Sequence, residues 1–224
     1  MKLLLSVYSL LLLLMLATPA LASHPHVLMQ TNMGDVEVEL YPDKAPQTVA
    51  NFLHYVTSGF YEGTVFHRVI KDFIVQGGAF DKRLEWRPPQ ADPIFNEAKH
   101  GLPNEPGTLA MAHDRDPNSA TSQFFINLES NKHLNYHRDD PGYYGHCVFG
   151  KIVKGMDIMQ LIAARPTGAA GRFSADVPLE PIVIEKMAIL DETPTPTPVK
   201  SKSKHKGKSN GKTKDKSREH LAGS

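Results

Sequence analysis

The sequence predicts an all-β domain, a mainly antiparallel barrel or sandwich that carries two short helices. Apolar and polar residues alternate in short runs, as where Val36, Val38 and Leu40 interleave with Glu37 and Glu39; this is the period of a half-buried strand. Many such runs lie close together, separated by turn residues. Only two segments have helical periodicity, too few for a doubly wound α/β protein, in which each parallel crossover needs a helix.

Val27–Met29 precedes the first alternating run, and Asn32-Met33-Gly34-Asp35 is the turn that makes the two a hairpin. Val49, Phe52, Leu53 and Val56 then fall at i, i+3, i+4 and i+7, with Pro46 at the first turn and Gly59 as a stop, the pattern of an amphipathic helix. Thr64–Val69 and Phe73–Gln76 are strand-like. Ala79–Gly107, rich in proline and charge, predicts an elaborated surface loop of the kind that often carries function. Thr108–Ala112, Ser122–Leu128 and His146–Val153 are further strands. A second helix puts Ile158, Leu161 and Ile162 on one face, with Asp157 near its start and Pro166 past its end. Pro181–Leu190 supplies the last strand, and closing the sheet on itself would remove its exposed edges. No repeat or linker interrupts this stretch, so one domain over residues 23–192 is expected.

The chain has 224 residues, and its 25 basic and 24 acidic side chains give a formal charge of +1. That balance is a cancellation. Residues 199–224 carry a net +7, residues 23–198 a net −7, and the first 22 residues only Lys2. The single cysteine, Cys147, excludes an intrachain disulfide framework and a cysteine-cluster metal site. Beyond the N-terminus there is no long apolar span, which excludes a polytopic helical membrane protein. Met1–Ala22 combines a basic start, the run Leu10–Leu14 and the small residues of Ala20-Leu21-Ala22. It reads as a secretory signal peptide cleaved after Ala22 rather than as an anchor, and predicts a periplasmic or secreted protein. At the other end, residues 193–198 alternate Thr and Pro as an extended spacer. The lysine-rich stretch that follows holds too little apolar surface to fold. Residues 193–224 are therefore read as a linker and solvated tail able to attract an anionic envelope polymer or membrane surface.

The string Phe66-His67-Arg68-Val69-Ile70-Lys71-Asp72-Phe73-Ile74-Val75-Gln76-Gly77-Gly78 resembles the signature segment of the cyclophilin family of peptidyl-prolyl isomerases. Two further stretches agree with it in order and spacing: Gly107–Ala112 followed by Ser122–Asn127, and Val148–Val153 followed by Gly155-Met156. The predicted export makes the chain most similar to the periplasmic cyclophilins of bacteria. The resemblance implies a closed eight-stranded antiparallel β-barrel capped by two α-helices. It also implies catalysis of rotation about Xaa-Pro bonds in proline-containing polypeptides, assisting the folding of exported proteins.

That chemistry breaks no bond. The partial double bond of the amide sets a barrier of about 20 kcal/mol, so the catalyst needs no nucleophile, metal or cofactor. It needs an apolar seat for the proline ring and a donor that favours the twisted amide over both planar forms. By the motif match, Arg68 is the catalytic donor; its guanidinium stays charged and presents several N–H groups at fixed angles. Gln76 is expected to orient Arg68 or to bind substrate backbone. Phe73, Ile74, Phe125, Leu134 and His146 match the proline-pocket positions, although pattern alone would class such residues as core. Phe66, Phe124 and Ile126 are read as core. Ala112 and His113 match residues that pair with substrate backbone, and Gln123 matches another groove position.

Three positions depart from the family pattern. His113 stands where many members have Asn or Arg. His133, on the groove rim, stands where others have Trp or Phe; that position helps to hold cyclosporin, so weak cyclosporin binding with intact isomerase activity is expected. Lys71-Asp72 replaces a common Pro-Gly pair. Among the eleven histidines, His133 and His137 have metal-ligand spacing, but they sit in a polar segment with no acidic residue between them, so no metal is expected. His54 and His67 are read as structural, Cys147 as a buried small residue, and the protein as a monomer. The rival reading is a non-catalytic proline-peptide binder or chaperone on the same fold, and Arg68 separates the two, because a binder has no use for a donor to the twisted nitrogen.

Overall fold

The computed structural model describes residues 24–190; the signal segment Met1–Ala22 and the tail 193–224 lie outside them. The N-terminal alternation becomes the hairpin of β1 (His26–Thr31) and β2 (Gly34–Leu40), whose facing pairs Val27–Val38 and Met29–Val36 enter the core. Helix α1 (Pro46–Thr57) has proline in its first turn and no side-chain cap of its own. Glu97, from the long loop, fills that role. Its carboxylate accepts the backbone N–H groups of Gln47 (3.2 Å) and Thr48 (2.9 Å) and the Thr48 hydroxyl (2.7 Å), satisfying donors that the first turn leaves open and placing negative charge at the positive end of the helix dipole. The loop is thereby fastened to the helix.

Strands β3 (Thr64–Ile70), β4 (Ile74–Asp81), β5 (Thr108–Met111), β6 (Phe124–Asn127) and β7 (Val148–Lys154) follow, then α2 (Met156–Ala163), β8 (Thr167–Ala170), β9 (Phe173–Pro178) and β10 (Ile184–Leu190). Eight strands form one antiparallel sheet in the order β10-β1-β2-β7-β5-β6-β4-β3, and β8 and β9 form a separate hairpin. The sequence did not announce that hairpin, because its Gly, Ala and Ser residues carry no apolar alternation.

The expectation of a closed eight-stranded barrel is corrected here. The fold is all-β and capped by two helices, but the sheet ends in two edges, β3 and β10, and is an open, uncompleted half-barrel. The edges meet only at the bridge Val65–Val183 and at the backbone bonds from Phe66 to Ile182 (3.0 Å) and from Gly63 to Ile184 (2.8 Å). Register shifts at Thr64–Phe66 and Phe66–Arg68 break the regular spacing of β3, and β10 begins only after Pro181. Bulges of this kind bend and twist β3 locally.

Phe52, Tyr61, Phe124 and Phe149 fill the concave side, with ring centroids 5.0–5.5 Å from Phe52. The buried Tyr61 hydroxyl donates to the Ser122 carbonyl at 2.8 Å, so the core leaves that polar group paired. Helix α1 contributes Val49, Phe52, Tyr55 and Val56, and α2 contributes Met159, Ile162 and Ala163.

Candidate active site

Directly opposed residues of antiparallel strands share a sheet face. Arg68 faces Gln76, Gln76 faces Phe125, Phe125 faces Ala110, and Ala110 faces Val148. One row across β3, β4, β6, β5 and β7 thus carries a cation, an amide and an apolar floor. The adjacent row, Val75, Ile126 and Leu109, points into the main core. Ile74, Ala110, Phe125 and Val148 form a second buried cluster, walled by the half-buried Phe73, Leu102, Ala112 and Leu134.

His146 closes one side of this seat. Its ring meets Phe125 edge-on at 5.2 Å, and Nδ1 lies 3.0 Å from the Met111 carbonyl oxygen. Burial pushes the imidazole down to about 4, with the neighbouring His113 adding to the effect. The ring is therefore neutral near pH 7, and because a carbonyl can only accept, Nδ1 is the protonated nitrogen. His113 stacks on it at 4.2 Å, with ring nitrogens 2.7 Å from the Asp114 carbonyl and 2.9 Å from that of Gly145. The Ala112 N–H donates to the Gln123 carbonyl at 3.0 Å. Beyond these residues a cavity of about 260 Å³ opens between Gln76, Trp86, Pro89, His113 and Gln123.

The guanidinium of Arg68 is half-exposed at the lip. Its Nη1 donates to Gln76 Oε1 at 3.4 Å, and Gln76 Nε2 donates onward to Gln123 Oε1 at 3.2 Å. The Arg68 Cζ lies 6.0 Å from the centre of the Phe73 ring. Hydrogen bonds, ring contacts and the second apolar cluster connect all ten candidate residues, and His133 stacks on Phe73 at 5.5 Å. The Lys71-Asp72 turn keeps the geometry that glycine would provide. The Phe73 N–H bonds to the Ile70 carbonyl at 3.1 Å, and Asp72 adopts φ 58°, left-handed space that aspartate enters more readily than most residues.

Sequence reasoning missed a buried amide network that holds the walls. Asn131 Nδ2 donates to the Phe73 carbonyl (3.1 Å) and to Asn127 Oδ1 (2.8 Å). Asn127 Nδ2 donates to Asn104 Oδ1 (3.0 Å), and Asn104 Nδ2 to the Leu134 carbonyl (3.1 Å). One network thus fixes two segments of the pocket. Its available signal was Asn127 at the end of an apolar strand, since a buried amide requires partners. Cys147 is buried, and burial pushes its thiol up to about 11, so it stays protonated.

An apolar cluster on the outside of the sheet, backbone and amide groups beside it, and one guanidinium at its edge are thus brought together. The description of cyclophilin-type peptidyl-prolyl cis-trans isomerases matches residues 26–189. A peptidyl-prolyl cis-trans isomerase of Acinetobacter baylyi is 48% identical over 176 residues, covering 79% of this chain and 90% of that protein. Peptidyl-prolyl cis-trans isomerase B of Escherichia coli is 45% identical over 163 residues, covering 73% and 98%. The crystal structure of a Cryptosporidium parvum cyclophilin-type isomerase, determined in the presence of the dipeptide Ala-Pro, aligns with a TM-score of 0.62 at 29% identity, over 74% of this chain and 99% of that one. The chain belongs to the cyclophilin family. It is a peptidyl-prolyl cis-trans isomerase acting on Xaa-Pro bonds.

Proposed function

We propose that the isomerase works by seating a proline ring on Phe125, Ile74 and Leu134 while Arg68 stabilises the half-rotated amide. In a planar amide the proline nitrogen shares its lone pair with the carbonyl and accepts hydrogen bonds poorly. At mid-rotation the pair is localised on nitrogen, and a charged N–H donor beside the ring then binds more strongly than in either ground state. Gln76 holds the guanidinium, Ala112 and His113 pair with substrate backbone as a short added strand, and Gln123 lines the groove. The supporting observation is the cross-strand row that sets Arg68 one strand from Gln76 and two from Phe125. The Ala-Pro dipeptide present with the Cryptosporidium relative is a minimal occupant for such a seat. Exchange between cis and trans forms of a short proline peptide tests the reading, and a rate indifferent to loss of the Arg68 guanidinium would leave only a peptide binder.

The protein acts outside the cytoplasm, as a monomer, on newly exported chains whose proline steps otherwise last tens of seconds; the Met1–Ala22 segment supports that placement. The lysine-rich tail tethers it to an anionic envelope polymer or membrane surface. Deleting residues 193–224 is expected to abolish low-salt sedimentation with anionic vesicles and to leave peptide isomerisation within twofold. Vesicle binding that survives the deletion would refute the tether. His133 in place of a larger aromatic leaves cyclosporin weakly held. Titration calorimetry is expected to give a Kd at least tenfold above that of a Trp-bearing cyclophilin, and equal affinities would contradict this.

A further inference from the structure

We propose that Asp176, on the β8–β9 hairpin, is the positioning residue for the Arg68 guanidinium. The inference rests on the reading of Arg68 as the donor.

The hairpin is irregular at one place. Gly168 faces Val177 and Ala170 faces Phe173, so the single residue Ala169 on β8 opposes Ser174, Ala175 and Asp176 on β9. Extra residues on one strand bend it and re-aim a side chain. Asp176 closes this bulge at φ 66°, left-handed space that aspartate enters more readily than most residues but that glycine enters at no steric cost. Its carboxylate oxygen Oδ2 lies 3.9 Å from Arg68 Nε, and Arg68 is its one ion-pair partner among the described residues.

The rest of the hairpin is anchored so that the bulge stays over β3. Phe173 packs on the buried His67 ring at 5.4 Å and meets Phe80 at 5.1 Å, while Val177 is buried. His67 directly precedes Arg68, so the element that carries Asp176 is clamped to the strand that carries the guanidinium. Gln76 engages the Nη1 side and Asp176 the Nε side. A hydrogen bond on one edge and a fixed charge on another, at 3.9 Å an ion pair without a hydrogen bond, together favour one orientation of the planar group. The pair is about two-fifths exposed on each side, so its contribution to global stability is small. An ion pair that adds little stability, set beside the guanidinium by a bulge that re-aims one side chain, is the pattern expected of a contact kept for function.

The test uses Asp176→Asn and Asp176→Gly, each in the wild-type chain and in Arg68→Ala, followed by proline-isomer exchange spectroscopy at enzyme concentrations high enough to read the slow background. Asparagine keeps the size and tolerates the left-handed backbone; glycine relieves the strain. In the wild-type chain both are expected to lower kcat three- to tenfold with KM within twofold. In Arg68→Ala neither is expected to lower it further, because the group being positioned is gone. Melting temperatures should be unchanged for Asp176→Asn and unchanged or raised for Asp176→Gly, against the direction of activity. Equal losses in both backgrounds would assign Asp176 a structural role and overturn the proposal, as would wild-type kcat in Asp176→Asn. An Arg68→Ala enzyme with full activity would instead overturn the donor reading, and the inference with it.

Discussion

Arg68→Ala is expected to lower kcat/KM for a short proline peptide by about 10²–10³-fold, the usual loss when one preorganised donor to a developing charge or lone pair is removed. The loss should fall on kcat, because the proline seat of Ile74, Phe125 and Leu134 is built by β4, β6 and the segment around Leu134 and does not depend on the guanidinium. KM is expected to change less than threefold, the mark of an interaction made in the transition state alone. Arg68→Lys should recover little, since an ammonium keeps the charge but lacks the planar fork that Gln76 holds at 3.4 Å. Isomer-exchange spectroscopy on the three proteins decides the matter. A rise in KM with kcat intact would mean that Arg68 only binds substrate.

The second large effect is acid lability centred on His67. Its ring is 3% exposed, lies 4.6 Å from Phe80 and 5.4 Å from Phe173, and leaves Nδ1 without a partner. Burial pushes the imidazole from 6.5 down to about 4, with the Arg68 charge acting in the same direction. A folded value below the unfolded one means that the unfolded chain takes up the proton first. Stability is therefore indifferent to this group above pH 6.5 and falls as pH drops from 6.5 towards 4, by up to about 3 kcal/mol. His146, also held at about 4, adds a loss of the same sign. His67→Phe should keep the aromatic packing and remove one proton from the pH slope, so that urea unfolding at pH 7, 5.5 and 4.5 gives a shallower decline than the parent. Parallel curves would contradict the assignment. Because His67 also underlies the β8–β9 hairpin, acid opening there would reach Asp176 before the core.

The two helices, the succession of the main strands and the family were legible in the chain because amphipathic periodicity and the motif spacing around Arg68, Phe125 and His146 are local properties. Strict alternation failed at one informative place. It would put Phe66 and Arg68 on the same face, yet Phe66 faces Gly77 in the core while Arg68 faces Gln76 outside. The extra residue between them, His67, has no counterpart on β4, and this bulge reverses the alternation just before the guanidinium. Gly77 makes room, since a Cβ there would lie 2.8 Å from the Phe66 ring. The Glu97 cap of α1 left no trace in the sequence, and the Asn104–Asn127–Asn131 network only the polar Asn127 ending an apolar strand, because each joins residues from distant parts of the chain.

What the sequence determined by itself was the family and the all-β class with its two helices, since those follow from residue type and short-range spacing. Only the tertiary structure decided that the sheet stays open between β3 and β10, and that Arg68 points away from the core. It also brought the hairpin carboxylate of Asp176 beside Arg68. The physical reason is the same in all three cases: bulges and long-range pairings change which face a residue occupies and which edges meet, and neither leaves a periodic trace in the amino-acid order.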